Sequence, residues 1–390
     1  MAPAAPDGEH DAACDWRRIA LGSGAGMFVG MGLGRFSYTA MVPALVEAGS
    51  LSAVEAGRVG MLNIFGFMAG AVLSAPLLRV TSVHRVLGVA IALSWLALAA
   101  SGVPGGFAWL GFWRGLVGVT TGVIMVLGLA LITATAPERQ RPVAASFVFA
   151  GVGIGVLGAG TLVPLLLAHG LAAAWSGLAL AGAAGVVLAL WGWHAAPELR
   201  APQTSAPAAP IRWGALAGLL LAHALFSLGI VAHTLYWVDF IARGLGQGMV
   251  VGGMHWSLVG VFSVLGPWIA AWLALRVGAA WGLVIGFVSL GAGIGAPALW
   301  PAAPILVASS ALFGAQPGMS SLMAVRAREL GTAQAMPRIM RAMILANACG
   351  AVTGGVAVPM LYAATGGHAA LFLLGGGAML LGAVAAWPRR

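Results

Sequence analysis

Twelve stretches of this chain are apolar for roughly 17 residues or longer, enough for each to cross a hydrocarbon core as a helix. They cover 19–45, 57–78, 86–102, 107–134, 143–168, 171–194, 213–241, 249–274, 279–298, 303–325, 338–363 and 367–387. Turn and charge chemistry separates them, as in "VEAGSLSAVEAGR", "PERQRP" and "RGLGQG". Inside a bilayer every backbone N–H and C=O must find its partner within the protein, which leaves helices and closed barrels. Barrel strands alternate apolar with polar at period two, and these runs do not. The expectation is an all-α membrane protein with twelve transmembrane helices.

Composition agrees: 61% of the 390 residues are hydrophobic and 7% are charged. The formal net charge of +9 is carried by arginines whose placement follows a membrane topology, so nucleic acid is not an expected partner. With the N-terminus inside, the inner segments hold Arg17, Arg18, Arg79, Arg85, Arg139, Arg141, Arg200, Arg212, Arg276, Arg326, Arg328, Arg338, Arg341, Arg389 and Arg390. The outer loops hold Arg58 and Arg243 alone. That bias predicts both termini in the cytoplasm and a multi-pass protein of the plasma membrane, the inner membrane of a bacterium. The opening "MAPAAPDGEHDAACDW" lacks the basic start of a cleavable signal and reads as a disordered cytoplasmic tail over 1–16. Cys14 and Cys349 make no disulfide framework and no metal spacing.

An internal repeat divides the remainder. "GVLGAGTLVPLLLA" (155–168) and "GAVTGGVAVPMLYA" (350–363) align Gly155 with Gly350, Gly160 with Gly355 and Pro164 with Pro359. "GVTTG" (118–122) aligns with "GAQPG" (314–318), and Leu78-Arg79 with Leu275-Arg276, at nearly the same offset. The organisation expected is an N-terminal six-helix half (17–195), a cytoplasmic linker (196–212) and a pseudo-symmetric C-terminal half (213–390). Repeated halves that rock about a central site are the architecture of secondary transporters. Arg79, Arg276 and the matched Gly and Pro residues are read as gating or packing positions.

The segments "GLGRFSYTAMVPAL" (32–45), "LSAVEAGRVGMLNIFGFMAGA" (51–71) and "RGLVG" (114–118) resemble the major facilitator superfamily, and more closely its YbfB/YjiJ-type branch. The resemblance spans essentially the whole chain and implies a transport role, working as a monomer. The sequence departs from the superfamily in the loop after the second helix. There "SAPLLRVTSVHR" has Ser74 and Leu78 where the pattern has Gly and Asp, and Leu275 stands in the Asp position of the equivalent loop. The carboxylate of the usual gating loop is missing from both halves.

Arg35 lies inside the first run, where an arginine costs about 2.5–3.5 kcal/mol on insertion scales. Helix rise places it about 15 Å from the outer end at Leu45, with Arg114 about 10 Å deep in the fourth run and His233 about 12 Å deep in the seventh. The repeat pairs Arg35 and Tyr38 with His233 and Tyr236, each an i,i+3 pair on one helix face. A guanidinium fork suits carboxylate or phosphate. Arg35, Tyr38, Arg114, His233, Tyr236 and Gln316, beside a helix-kinking Pro317, are the candidate substrate-binding residues, and the solute expected is an organic anion. Structural roles stand beside these: Arg114 in gating or helix packing, Arg35 on backbone carbonyls or on Asn63, and the histidines as hydrogen-bonded interior residues.

For proton coupling the candidates are Asp239, the acid that falls within a run, and His223; Asp239 could equally pair with Arg243 four residues on. No H-E-x-x-H, G-x-S-x-G or P-loop motif is present, so neither an enzyme nor a cofactor is expected. Two other readings stay open: an exporter of hydrophobic drugs or cations with Asp239 as charge partner, and a transporter-like sensor without flux.

Overall fold

The computed structural model describes residues 15–199 and 210–388, apart from the side chains of residues 142, 333 and 337. The greater part of the expected tail (1–16) and linker (196–212) lies outside the described residues. Among those described, every regular element is helical, and nine helices are long and apolar enough to cross a membrane. In chain order the helices are α1 (Trp16–Glu47), α2 (Ala53–Val80), α3 (Val83–Ala100), α4 (Gly106–Thr135), α5 (Arg141–Leu167), α6 (Leu171–Trp193), α7 (Trp213–Gly244), α8 (Gly248–Leu299), α9 (Ala303–Gly314), α10 (Pro317–Leu330), α11 (Met336–Thr365) and α12 (Ala369–Ala385), of which α1–α8 and α11 are the nine. Helices α9 and α12 are shorter apolar helices.

Two breaks differ from the apolar runs. The runs 249–274 and 279–298 form one helical length, α8, interrupted at Gly278, whose φ of 81° and ψ of 160° suit a residue without Cβ. The run 303–325 is instead two helices. Pro317 donates no N–H and its ring crowds the preceding turn, so α9 stops at Gly314 and α10 starts on the proline.

Helix ends are held by polar contacts. Ser52 and Glu55 form a capping box at the start of α2, with Ser52 N donating to Glu55 Oε2 at 2.8 Å. Arg18 donates twice to the Trp191 carbonyl (3.1 and 2.8 Å) and lies 4.4 Å over its ring, tying the start of α1 to the end of α6. Nearby, His84 meets Glu198 at 2.7 Å, and this hydrogen bond holds the Glu198 carboxyl below the usual carboxylate range. A lowered carboxyl stabilises the fold above its ordinary pKa of about 4.3, and that contribution fades as pH falls through the folded value.

The helices approach closely through small residues. Gly66 and Gly70 of α2 lie against Gly115 and Val119 of α4, and Gly118 and Gly122 of α4 lie against Asn63 and Phe67 of α2; a Cβ on Gly118 would stand 2.8 Å from the Phe67 nitrogen. The matched residues of the repeat make matched contacts. Gly155 lies on Gly32 of α1, as Gly350 lies on Ala224 of α7. Gly160 packs on Ser257 of α8, and Gly355 faces Met61 and Ile64 of α2. Pro164 packs on Gly253 of α8, and Pro359 on Gly57 of α2. Thus α5–α8 and α2–α11 are the equivalent seams between the parts of the bundle. Arg79 and Arg276 are exposed at the ends of α2 and of the first arm of α8.

A Cβ at Gly155 would stand 2.5 Å from the Gly32 Cα, whereas nothing lies within 4 Å of one at Gly158. Gly155→Val is therefore expected to lower stability by about 1–3 kcal/mol through overpacking, and Gly158→Val by much less. Thermal unfolding of the two variants in detergent checks the contrast.

Candidate functional site

The site begins with an irregularity in α1. Residues Phe28–Phe36, "FVGMGLGRF", wind as a π-helix, with Gly30, Gly32 and Gly34 keeping the wider turn close to its neighbours. A π turn shifts the carbonyl ladder by a residue, so carbonyls here look outside the helix for donors. Thr121 of α4 donates to the Gly30 carbonyl at 2.8 Å, and Trp256 Nε1 of α8 to the Phe36 carbonyl at 3.1 Å. Arg114 Nη1 donates to the Gly34 carbonyl at 2.6 Å. The same guanidinium reaches Ser101 Oγ at 2.7 Å and lies 5.0 Å over Trp175. Asn63 of α2 donates to the Arg114 carbonyl at 2.7 Å. Arg114 is fully buried, and its partners are helix backbone, a hydroxyl and a ring.

Arg35, one residue beyond the Gly34 carbonyl, has a different environment. Its guanidinium lies 5.0 Å from the Phe67 ring centroid and 5.5 Å from that of Phe36, and among the described residues it makes no hydrogen bond and no ion pair. It lines a cavity of about 170 Å³ between α1, α2, α4 and α5 on one side and α7, α8, α10 and α11 on the other. From the level of Arg35 the cavity runs toward the end of the bundle where α1 begins, past Phe149 of α5 and Ser320 of α10. Gln316, at the α9–α10 break, and Asn347 of α11 line it as well. Asn347 Oδ1 accepts a short hydrogen bond from Ser227 of α7. Among the described residues no carboxylate lies in the lining.

The opposite end of the bundle is closed by contacts across the seams. Tyr38 donates to the Ala56 carbonyl at 2.8 Å, and Thr39 to the Thr234 carbonyl. Tyr236 is fully buried and stacks on Tyr362 at 4.9 Å, its hydroxyl against Gly57. Asp239, also fully buried, is bound by Arg243 Nη1 at 2.8 Å and by Nε2 of His368, the residue before α12, at 2.9 Å. His233 sits in an aromatic nest, stacked on Trp237 at 4.3 Å with Nε2 2.9 Å from Ser309 Oγ. His223 lies beside Phe226 on α7, away from the cavity lining.

Of the residues singled out from the sequence, the fold brings Arg35 and Gln316 into one cavity. Tyr38, Tyr236 and Asp239 lie in the closed end, Arg114 and His233 within the helix packing, and His223 on α7 outside the lining. The separation of Arg35 from its repeat partner His233 has a local cause. In α1 the π winding precedes and includes Arg35, while in α7 it comes at Phe240–Gly244, after His233. An extra residue in a turn rotates the remainder of the helix by about 100°, so equal positions in the repeat face different ways. Sequence reasoning passed over Phe67, Trp256, Ser227, Asn347 and Ser320. Asn347 carried a signal, an amide inside an apolar run; the aromatic residues looked like any others in a core.

The family model described as "Uncharacterised MFS-type transporter YbfB" matches residues 27–387. A "Putative metabolite transport protein" of Haemophilus influenzae is 28% identical over 279 residues, covering 65% of this chain and 67% of that protein. The crystal structure of the peptide transporter POT in complex with sulfate resembles the fold with a TM-score of 0.74 at 15% identity, covering 95% of this chain and 97% of that one. The D-xylose-proton symporter does so with a TM-score of 0.69 at 19% identity, covering 95% and 97%. At such identities the structural likeness shows the fold alone.

The two arginines predict opposite stability effects. Arg114→Gln leaves the Gly34 carbonyl and Ser101 without their charged donor and is expected to cost about 3 kcal/mol. Arg35→Gln removes no hydrogen bond, and its two lost cation–π contacts are offset by the removed cost of the charge in the membrane, so it is expected to stay within about 1 kcal/mol of wild type. Thermal melts of ligand-free protein in detergent distinguish them.

Proposed function

We propose that this chain, which belongs to the YbfB-type family of the major facilitator superfamily, is a secondary transporter that carries a small organic anion across the bacterial inner membrane by alternating access. That it is a membrane transporter and not an enzyme follows from the family. The anion reading is ours and rests on one observation: a guanidinium lines the central cavity with no carboxylate or carbonyl to neutralise it. We read α8 as two crossings joined at Gly278 and α9–α10 as one broken crossing, which makes twelve crossings in two six-helix halves. With the arginine-rich loops inside, both termini are cytoplasmic, and the cavity leans toward the cytoplasm while the outer end is shut.

The alternative, export of hydrophobic cations, would use Asp239 as the charge partner. That carboxylate lies outside the cavity and already holds Arg243 and His368, and the described residues of the cavity wall include no acid. For the same reason proton coupling through Asp239 would require that ion cluster to open during transport.

Purified protein in liposomes tests the reading. Labelled organic anions are expected to show uptake into the lumen that falls about tenfold or more in Arg35→Gln, the size of one lost charged hydrogen bond, and partly recovers in Arg35→Lys. Wild-type flux in Arg35→Gln, or flux of organic cations alone, would remove the anion reading; binding without flux would indicate a sensor.

A further inference from the structure

The cavity's make-up narrows the solute further, on the premise that Arg35 receives an anion. We infer that the substrate is a monocarboxylate with an aromatic or similarly flat apolar body and one neutral hydrogen-bonding group at the end remote from the carboxylate.

Charge sets the first part. Arg35 is the single charged side chain in the lining. The other arginine at similar depth, Arg114, is sealed behind it on Gly34, Ala97 and Ser101. A second carboxylate, or a dianionic phosphate, would enter an apolar space with nothing to pair it, and unpaired buried charge is costly. One negative charge is what this wall neutralises.

The apolar part comes from the surroundings of the guanidinium. Phe67 and Phe36 flank it, Phe36 meets Trp256 edge-on at 6.1 Å, and Trp256 stacks on Phe313 at 6.4 Å. These rings form a continuous aromatic wall from Arg35 across the seam to the α9–α10 break. The Trp256 N–H is already bonded to the Phe36 carbonyl, so this residue offers surface rather than a donor. A sugar or small hydroxy acid would lose its hydration against such a wall and recover few hydrogen bonds.

The third part comes from polar groups left unused. Gln316 and Ser320 make no side-chain hydrogen bond among the described residues, and Asn347 uses its oxygen on Ser227, leaving its amide N–H groups unpaired. Thr234 and Ser263, which line the same cavity, are by contrast satisfied by Ile230, Val259 and Gly314 carbonyls. The unused groups belong to the α9–α10 break, α10 and α11, opposite the α1 arginine, and together can both donate and accept. A hydroxyl or carbonyl at the far end of the solute would meet them.

Equilibrium binding to the full-length protein in detergent tests this, with phenylacetate, 4-hydroxyphenylacetate, phenylacetamide, 1,4-phenylenediacetate and inorganic phosphate as probes. Phenylacetate is expected to bind, and the 4-hydroxyl to tighten it about 3–10-fold, the worth of one neutral hydrogen bond. The dicarboxylate is expected to bind at least about tenfold more weakly, and the amide and phosphate not measurably. In Arg35→Gln binding of phenylacetate and of 4-hydroxyphenylacetate is lost, while in Gln316→Ala and Asn347→Ala the Kd values of these two probes come together. Unliganded melting temperatures show whether each variant is folded, and Arg35→Lys, keeping the charge, should retain weak carboxylate binding. Tighter binding of the dicarboxylate or of phosphate, still dependent on Arg35, would overturn the monoanion inference and leave the anion reading standing. Equal binding of acid and amide, indifferent to Arg35→Gln, would overturn both. No gain from the hydroxyl would overturn the assignment of the polar end.

Discussion

The hydrogen bond from Arg114 to the Gly34 carbonyl is the contact on which the centre of this molecule depends. A membrane helix can leave its regular ladder only if some other group answers the carbonyls it frees. Here a fully buried guanidinium does so from α4, with Thr121 and Trp256 answering two more. The π stretch of α1 thereby becomes a stable shape, and the residue after Gly34 is turned toward the seam rather than into the helix packing. The helix-four arginine is the support and the helix-one arginine the exposed group, although in sequence both are simply arginines in apolar runs.

Arg35 can remain there because two rings flank it. Each cation–π contact contributes about 1–2 kcal/mol when partly desolvated, comparable in sum with the roughly 2.5–3.5 kcal/mol cost of placing the charge at that depth. Rings compensate the cation without occupying its N–H groups. A carboxylate partner would have stabilised the charge by consuming its hydrogen-bonding capacity, which is what Arg243 and His368 do with Asp239 at the closed end. The two charged clusters therefore suit different work, one open to a ligand and the other fastening α7 to α12.

The repeat shows how alike the two parts remain in packing and how far they have diverged in chemistry. The matched glycines Gly155 and Gly350 correspond closely, because backbone approach at α1–α5 and α7–α11 leaves no room for a side chain. The cavity wall is under no such steric rule. One side offers an arginine beside Phe36 and Phe67, and the other Gln316, Ser320 and Asn347 beside Trp256 and Phe313.

The helical membrane class and the family were legible in the sequence, since hydropathy and short motifs depend on length and local chemistry. Arg35 stood out for the same reason, as a charge where none is cheap. Helix breaks were less legible: Gly278 bends α8 without ending it, while Pro317 splits a run that hydropathy treats as whole. What the tertiary structure alone decided is which polar residues meet. A π winding in α1 that has no counterpart at the matching place in α7 sends Arg35 to the cavity and His233 into an aromatic nest. That rotation depends on donors supplied by α4 and α8, residues distant in sequence, so no local pattern could carry it.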